Sequence, residues 1–185
     1  MQFKKTEIEF CEGLEFYSNG DGTCFVLGIG DCTNATIKIP EKSPLNQVVT
    51  AINLEAFEDN ECIVAIKCPP LLTKIGWKAF YNCPYLNTFE FSEQLETIGE
   101  DAFYKCSLLE NIVFTENENY IYKYGVLIDK KNKTLILGTS KGYITIDGSV
   151  ENIARGAFYG KVKLEYINIP ESIKTIGFAA FSECS

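Results

Sequence analysis

The sequence contains no histidine, and that absence removes several kinds of chemistry at once. Without imidazole the chain has no Ser-His or Cys-His nucleophilic pair, no histidine general acid or base and no histidine metal ligand. Its eight cysteines include no C-x-x-C pair, the spacing that a zinc site would use. We therefore predict no catalytic residues, no metal site and no cofactor.

Arginine is almost as scarce, because Arg155 is the only arginine among 17 basic residues. The planar, bidentate recognition of phosphate and carboxylate that arginine provides is therefore nearly absent. The formal net charge is −8, with 25 acidic residues against the 17 basic ones. A chain with this balance offers no basic surface to a phosphate backbone, so we expect no nucleic-acid partner.

Long apolar runs are also missing. No stretch approaches the roughly 18 to 20 apolar residues of a membrane span, so we expect no membrane insertion. The N-terminal segment "MQFKKTEIEFCEGLEF" has two lysines but no apolar run of about seven residues, so it is not a secretory signal peptide as written. The chain as given is then either cytoplasmic or a piece of a longer protein.

An Ala-Phe dipeptide that recurs at a fixed period is the main positive feature of the sequence. Successive pairs are separated by 23, 23, 55 and 23 residues, and 55 exceeds the period by 32, so one insertion interrupts the repeat. The five pairs are Ala56-Phe57, Ala79-Phe80, Ala102-Phe103, Ala157-Phe158 and Ala180-Phe181.

Apolar residues around each pair keep the same phase. Four residues before the alanine stand Ile52, Ile75, Ile98, Ile153 and Ile176, and seven residues before it stand Val49, Leu72, Leu95, Val150 and Ile173. A fixed period of this length is typical of a solenoid, in which stacked units share one continuous core. The alternation in "NTFEFSE", "ENIVFTE" and "EYINIPE" predicts a short strand in each unit, with successive strands paired in a parallel sheet.

The repeat unit carries a family resemblance. The segment "LETIGEDAFYKCSLLENIVF", residues 95–114, has the pattern L-x-x-I-G-x-x-A-F-x-x-C-x-x-L-x-x-I-x-I and resembles the BspA-like, or Treponema pallidum-type, leucine-rich repeat. The preceding segment "GLEFYSNGDGTCFVLGIGDCTNATIKIPEKSPLNQVVTAI" resembles the β-rich entry of such arrays. The resemblance implies a leucine-rich repeat solenoid, mainly β with short helical turns, that forms a right-handed curved array.

Four regions are expected along the chain. Residues 1–40 form a β-rich N-terminal cap, residues 41–114 and 147–185 are repeats, and residues 115–146 are an insert. Within the insert, "YGVLIDKKNKTLIL" predicts a β-hairpin. We expect the insert to dock on the array, because Ile144 and Ile146 keep the offset from Ala157 that strand residues have elsewhere. The ending "IKTIGFAAFSECS" stops within a repeat, which suggests truncation.

Cysteine positions support two separate interpretations. Cys83, Cys106 and Cys184 share one repeat column, which favours small buried thiols in the core. Cys24 and Cys32 are placed to meet across the entry hairpin, but spacing alone cannot establish the Cα separation that a disulfide needs, so this pairing stays open. The same column carries Asn60 in the first repeat and Lys161 in the fourth.

Carboxylates are plentiful, so composition alone leaves open a hydrolase with paired acidic residues. Inside the repeats, however, acidic residues such as Glu96 and Glu100 stand at variable positions that should point outward, which favours a solvated face. A curved solenoid presents its concave sheet as a binding surface, and polar residues with a tyrosine suit protein or glycan recognition. The candidate binding residues are Lys67, Thr88, Glu90, Asn111, Val113, Tyr166 and Asn168.

Three functional hypotheses follow. The resemblance implies a non-enzymatic, adhesin-like recognition module of a microbial cell-surface or secreted protein, with a host extracellular-matrix protein or a glycan among its ligands. A structural spacer of a larger surface protein is the alternative, and an enzyme would require a catalytic domain elsewhere in a longer chain. We also expect apolar surface at Ile173, Ile176 and Phe181 to permit end-to-end self-association.

Overall fold

The computed structural model describes residues 11–140 and 142–184, which form a solenoid of short strands and turns. No helix occurs among these residues. The strands are β1 (Glu15–Ser18), β2 (Thr23–Gly28), β3 (Thr36–Lys38), β4 (Val48–Ile52), β5 (Ala65–Lys67), β6 (Lys74–Ile75), β7 (Thr88–Glu90), β8 (Thr97–Ile98), β9 (Asn111–Val113), β10 (Tyr120–Lys123), β11 (Val126–Asp129), β12 (Thr134–Gly138), β13 (Tyr143–Thr145), β14 (Asn152–Ile153), β15 (Tyr166–Asn168) and β16 (Thr175–Ile176).

Two sheets run along the first three repeats, one on each side of the core. The front sheet has the order β3-β5-β7-β9 and is parallel throughout, with Ile66, Phe89 and Ile112 in register. The back sheet has the order β1-β2-β4-β6-β8 and is parallel from β2 onward. The period of 23 residues thus places equivalent residues in line, and the predicted solenoid is confirmed.

The Ala-Phe turns differ from the expected helical turns. The Phe80 amide donates to the Ala102 carbonyl of the next repeat (2.9 Å), whereas the Ala79 amide donates locally to Gly76 (3.3 Å). Because alternate amides bond to the neighbouring repeat, the continuous intrachain ladder of a helix cannot form. Residues with positive φ, such as Asp101 (57°), reverse the chain between these bonds. The turns therefore form a third ladder between repeats.

Stacked phenylalanines fill the space between the turns and the front sheet. The Phe57 and Phe80 rings stack with centroids 5.0 Å apart, and Phe80 and Phe103 stack at 5.6 Å. Phe89 of the front sheet meets Phe80 and Phe103 edge-on, each at 5.0 Å. All four of these rings are buried, so the phased Ala-Phe column forms the centre of the core, as the sequence predicted.

The glycines of the "IG" pairs allow a close approach of two backbones. A Cβ atom added to Gly99 would lie 2.4 Å from the Trp77 amide nitrogen, and one added to Gly76 would lie 2.4 Å from the Leu54 nitrogen. Neither glycine has a positive φ. The close approach of the preceding repeat's backbone therefore requires glycine at these two positions.

The insert forms a three-stranded antiparallel unit, β10-β11-β12, and β12 then pairs in parallel with β14 of the fourth repeat. The predicted hairpin is β11 and β12. Leu127 packs in the core of the first three repeats, whereas Val126 and Ile128 pack in a second cluster with the later repeats. Side chains alternate across a strand, so the insert lies between two cores, and the expected single continuous core is divided.

The fourth repeat, residues 150–169, contacts the third repeat, residues 95–114, directly through their turns, and we call this contact the seam. The Lys161 side chain is 1% exposed and its Nζ donates to the carbonyls of Cys106 (3.2 Å), Ser107 (3.0 Å) and Leu109 (2.7 Å). Burial lowers the pKa of Lys161. The missing cysteine of this repeat is thus replaced by a cation that bonds to the preceding coil.

The shared cysteine column is buried at Cys83 and Cys106 and half-buried at Cys184. The thiols of Cys83 and Cys106 donate to the Phe57 and Phe80 carbonyls, each at 3.0 Å. Burial raises the pKa of the Cys106 thiol. These contacts confirm the interpretation of the column as packed core thiols.

The open question of a Cys24–Cys32 pair is answered in the negative, because Cys32 forms a disulfide with Cys11. The Asp31 amide donates to the Gly13 carbonyl (3.1 Å), and this bond holds the segment of Cys32 beside that of Cys11. Cys24 is fully buried on β2, where its thiol faces the Gln47 carbonyl (3.6 Å). The disulfide therefore closes the entry segment and leaves Cys24 in the core.

Candidate functional site

Five of the seven candidate binding residues lie together on the outer face of the front sheet. Lys67, Glu90 and Val113 are register partners in one row, and Thr88 and Asn111 are partners in the row beside it. Each flanks an inward residue of its strand, because side chains alternate between the two faces. We call the outward residues of β3, β5, β7 and β9 the front face.

Tyr166 and Asn168 lie apart from the other five. They are on β15, which pairs with β13 in a separate two-stranded sheet, the small front sheet. Among the described residues, β9 and β13 form no paired strands, so the sheet is interrupted between Val113 and Tyr143. The predicted surface is therefore two patches.

The first patch is polar and partly charged. Lys67 and Glu90 form an ion pair, with side chains 46% and 37% exposed. The Asn111 side-chain amide donates to Asn87 Oδ1 (2.6 Å) and to Thr88 Oγ1 (3.3 Å). An exposed ion pair contributes little to folding, so these groups can exchange their contacts for those of a ligand at small cost.

A groove of about 630 Å³ borders this patch at the carboxyl ends of the front strands. Lys67, Glu90 and Val113 line it together with Lys38 and Gln94. Its size lies within the range of roughly 300 to 1,000 Å³ that is usual for ligand sites. Three candidate residues thus border a concave feature.

The second patch contains two exposed aromatic rings. Tyr143 is 76% exposed and Tyr166 is 56% exposed, and their ring centroids are 6.2 Å apart with an interplanar angle of 39°. Thr145 and Asn168 are register partners on the same side of the small front sheet. The four outward residues of these two strands carry no charge. The patch presents aromatic area beside an amide and a hydroxyl.

The sequence analysis missed outward residues on both patches. Thr36 and Lys38 of β3 extend the front face, and Tyr143 and Thr145 of β13 complete the small front sheet. Tyr143 was detectable, because Ile144 keeps the repeat offset before Ala157. The strand β3 precedes the first Ala-Phe pair, and only the similarity of "TIKIP" to the later "YINIP" indicates it.

The groove holds one thiol, that of Cys68, which is 6% exposed. Burial, assisted by the negative charge of Glu90, raises the pKa of Cys68. The thiol is therefore protonated at neutral pH and is a weak nucleophile.

Among residues 11–140 and 142–184, no group of three or more histidine, cysteine or acidic residues is arranged to hold a metal ion. The exposed polar and aromatic residues of the two patches therefore favour a ligand-binding role over a catalytic one.

The described part of the chain has no helix that is long and apolar enough to cross a membrane.

A comparison with curated proteins finds no match. Solved structures with the same fold include a Treponema pallidum leucine-rich repeat protein (19% identity, TM-score 0.57) and one from Bacteroides ovatus (24% identity, TM-score 0.65). A third is a leucine-rich cell-surface protein of Faecalibacterium prausnitzii (22% identity, TM-score 0.56).

These alignments cover 93%, 96% and 94% of this chain, but only 65%, 45% and 51% of the respective relatives. The chain thus spans less than two thirds of their length. A family model described as the BspA type leucine-rich repeat region matches residues 31–127 and 133–185 in six copies. Those ranges include most of the sequence, and the chain belongs to the BspA-type leucine-rich repeat family.

Proposed function

We propose that the chain is a non-enzymatic recognition module that binds a protein or glycan ligand through the front face and the small front sheet. The observation that carries this proposal is the exposed Tyr143–Tyr166 pair on the small front sheet. Tyrosine supplies a large, amphipathic contact area, and aromatic residues are enriched at binding surfaces.

A position at the microbial cell surface or outside the cell fits this function. The Cys11–Cys32 disulfide supports it, because disulfides persist mainly in oxidising compartments. One structural neighbour is described as a cell-surface protein. The chain would then act as an adhesin-like module, with a host extracellular-matrix protein or a glycan as ligand and without membrane insertion of its own.

The direct test is biolayer interferometry against extracellular-matrix proteins and glycans. The variant Tyr143→Ala/Tyr166→Ala tests the aromatic patch and Glu90→Lys tests the front face. Tyr85→Ala is the control, because Tyr85 is similarly exposed (54%) and lies on neither patch. We expect saturable binding that the aromatic variant weakens at least ~10-fold and the control retains. Equal loss in the control, or retention in both patch variants, would contradict this surface assignment.

A structural spacer or assembly segment is the second candidate, and the last described coil favours it. Ile176 is 52% exposed and Phe178 is 75% exposed, whereas the equivalent Ile153 is buried. Apolar surface of this kind suits contact with another coil, including that of a second copy. Concentration-dependent sedimentation that Ile176→Lys abolishes would support assembly, and a strict monomer would count against it. A folded chain that binds no member of the panel would favour the spacer.

A further inference from the structure

A cleft of about 360 Å³ opens at the seam, away from the front face. One wall is the segment 98–104 of the third repeat, and the other contains residues of β11, β12, β14 and β16. The cleft lies where the insert interrupts the repeats, because the back sheet ends at β8 and a new sheet begins with β10. Clefts between packed units are common positions for ligand sites.

Asp101 provides an unsatisfied acceptor at this cleft. Its side chain is only 5% exposed, and its Oδ2 accepts a hydrogen bond from Arg155 Nη1 at 2.9 Å. The other oxygen, Oδ1, is buried and has no hydrogen-bond partner, and it is the one such side-chain atom in the described part of the chain. A buried carboxylate oxygen without a donor is unfavourable, so this position favours a ligand that supplies one.

Arg155 contacts Asp101 and also lines the cleft. The guanidinium carbon lies 4.6 Å from the Tyr104 ring centroid and 5.6 Å from that of Phe178. Its side chain is 40% exposed, far more than that of Asp101. Because Oδ1 itself is buried, a ligand can donate to it only after a neighbouring side chain shifts, and we expect the partly exposed Arg155 to be that side chain.

The charged residues that line the cleft indicate which ligand charge it favours. Glu100, Asp101 and Asp129 line it against the single cation Arg155. The side chain of Asp129 is held by the Asn132 backbone and side-chain amides, each at 2.8 Å. An excess of carboxylates disfavours an anionic ligand and favours a cationic hydrogen-bond donor.

We propose that the seam cleft binds a small ligand carrying a primary ammonium group, which donates to Asp101 Oδ1. The volume lies near the lower end of the usual range for ligand sites, so the ligand is about the size of one amino-acid side chain or one sugar. A lysine side chain of a peptide and an amino sugar both present this group. The site is separate from the front face and extends the function beyond the surface recognition proposed above.

The test uses the single arginine as a reporter. In nitrogen–proton correlation spectra of isotope-labelled protein, the Arg155 Nε–H gives one side-chain signal of its kind, because the chain has no other arginine. The probes are Nα-acetyl-lysine amide and glucosamine, each compared with its N-acetylated counterpart. We expect saturable shifts with the amines and none with the acetylated forms, and the tighter amine identifies the source of the ammonium group.

Two variants locate the binding. Asp101→Asn removes the carboxylate with little change in shape and should weaken amine binding at least ~10-fold. Glu55→Gln is the matched control, because Glu55 holds the equivalent repeat position with a similar φ (54° against 57°) and does not line the cleft. If Asp101→Asn fails to fold, the comparison of amines with acetylated probes on the natural chain decides the question.

Several outcomes would overturn the proposal. They are no saturable shift with either amine, equal shifts with the acetylated probes, or equal weakening in Glu55→Gln. The Tyr143→Ala/Tyr166→Ala variant should retain amine binding in full. Failure at the cleft and failure of the surface recognition module are therefore distinguishable.

Discussion

The contact between the second and third repeats and the contact at the seam join similar turns by different means. The regular contact is made largely of backbone hydrogen bonds, such as Phe80 to Ala102 in the turns and the paired strands of both sheets. At the seam the front and back sheets are interrupted, and side chains 54 or 55 residues apart make much of the connection. Contacts made by backbone hydrogen bonds do not depend on which side chains are present, whereas the seam depends on the side chains of particular residues.

The end of the back sheet shows this dependence. The Ile98 amide of β8, which would otherwise face a next repeat strand, donates to the Tyr120 hydroxyl at 2.9 Å. The Asn117 side-chain amide donates to the Leu95 carbonyl at 2.9 Å. Exposed strand edges promote unwanted pairing, so these side chains from the insert close the edge that the interrupted repeat leaves.

The largest expected effect is in the regular contact. Phe103→Ala removes a ring that packs against Phe80 and Phe89, and we expect it to lower the free energy of unfolding by about 3 to 5 kcal/mol. Urea unfolding of the variant and the natural chain measures the difference. A loss below about 1 kcal/mol would contradict a role for this ring in the core.

The corresponding test at the seam is Lys161→Ala. The substitution leaves the carbonyls of Cys106, Ser107 and Leu109 without their buried donor, and we expect a loss of about 2 to 4 kcal/mol. Lys161→Met is the informative control, because it keeps the apolar length of the side chain but donates no hydrogen bond. If Lys161→Met were as stable as the natural chain in urea unfolding, packing and not hydrogen bonding would hold the seam.

The residue after the repeat isoleucine differs between the third repeat, which has Gly99, and the fourth repeat, which has Ala154. At the regular contact Gly99→Ala places a Cβ 2.4 Å from the Trp77 nitrogen, and we expect a loss of about 1 to 3 kcal/mol. In the fourth repeat the equivalent residue is Ala154, which carries a Cβ and whose amide donates to the Leu135 carbonyl of β12 in the insert (2.8 Å). Gly148→Ala is the control for thermal unfolding, because open space surrounds that position. If Gly99→Ala and Gly148→Ala lowered the stability equally, the close backbone approach at Gly99 would not be the reason for its glycine.

The features that recur with the 23-residue period could be predicted from the sequence. The isoleucine, phenylalanine and cysteine columns and the outward residues of β5, β7 and β9 follow from a strand and a turn that recur in each unit. The seam was not predictable, because the Asp101–Arg155 pair joins residues whose separation reflects the insert and not the period. Lys161 was visible only as a departure from the cysteine column. The Cys11–Cys32 disulfide likewise depends on the path of the entry segment, which no repeat constrains.

The smallest expected effect concerns the attachment of the insert to the later repeats. Glu151 accepts hydrogen bonds from Lys133 Nζ of the hairpin turn (2.7 Å) and from Lys174 Nζ of the last coil (2.6 Å). The bonds from Lys133 and Lys174 lower the pKa of Glu151 to about 2. Because the pKa in the folded state lies below the ordinary glutamate value of 4.5, the stabilisation is present above pH 4.5 and is lost as the pH falls through about 2.

We therefore expect Glu151→Gln to flatten the fall of the urea midpoint between these two pH values while changing stability only slightly at neutral pH, because an exposed ion pair contributes little. Glu118→Gln, at an exposed site on the insert, is the control and should leave the pH dependence unchanged. Added salt should reduce the difference between Glu151→Gln and the natural chain, because it screens partly exposed charges. Identical pH profiles for Glu151→Gln and the natural chain would show that the two lysines do not hold this carboxylate in solution, and the insert would then be attached to the later repeats by its backbone and buried contacts alone.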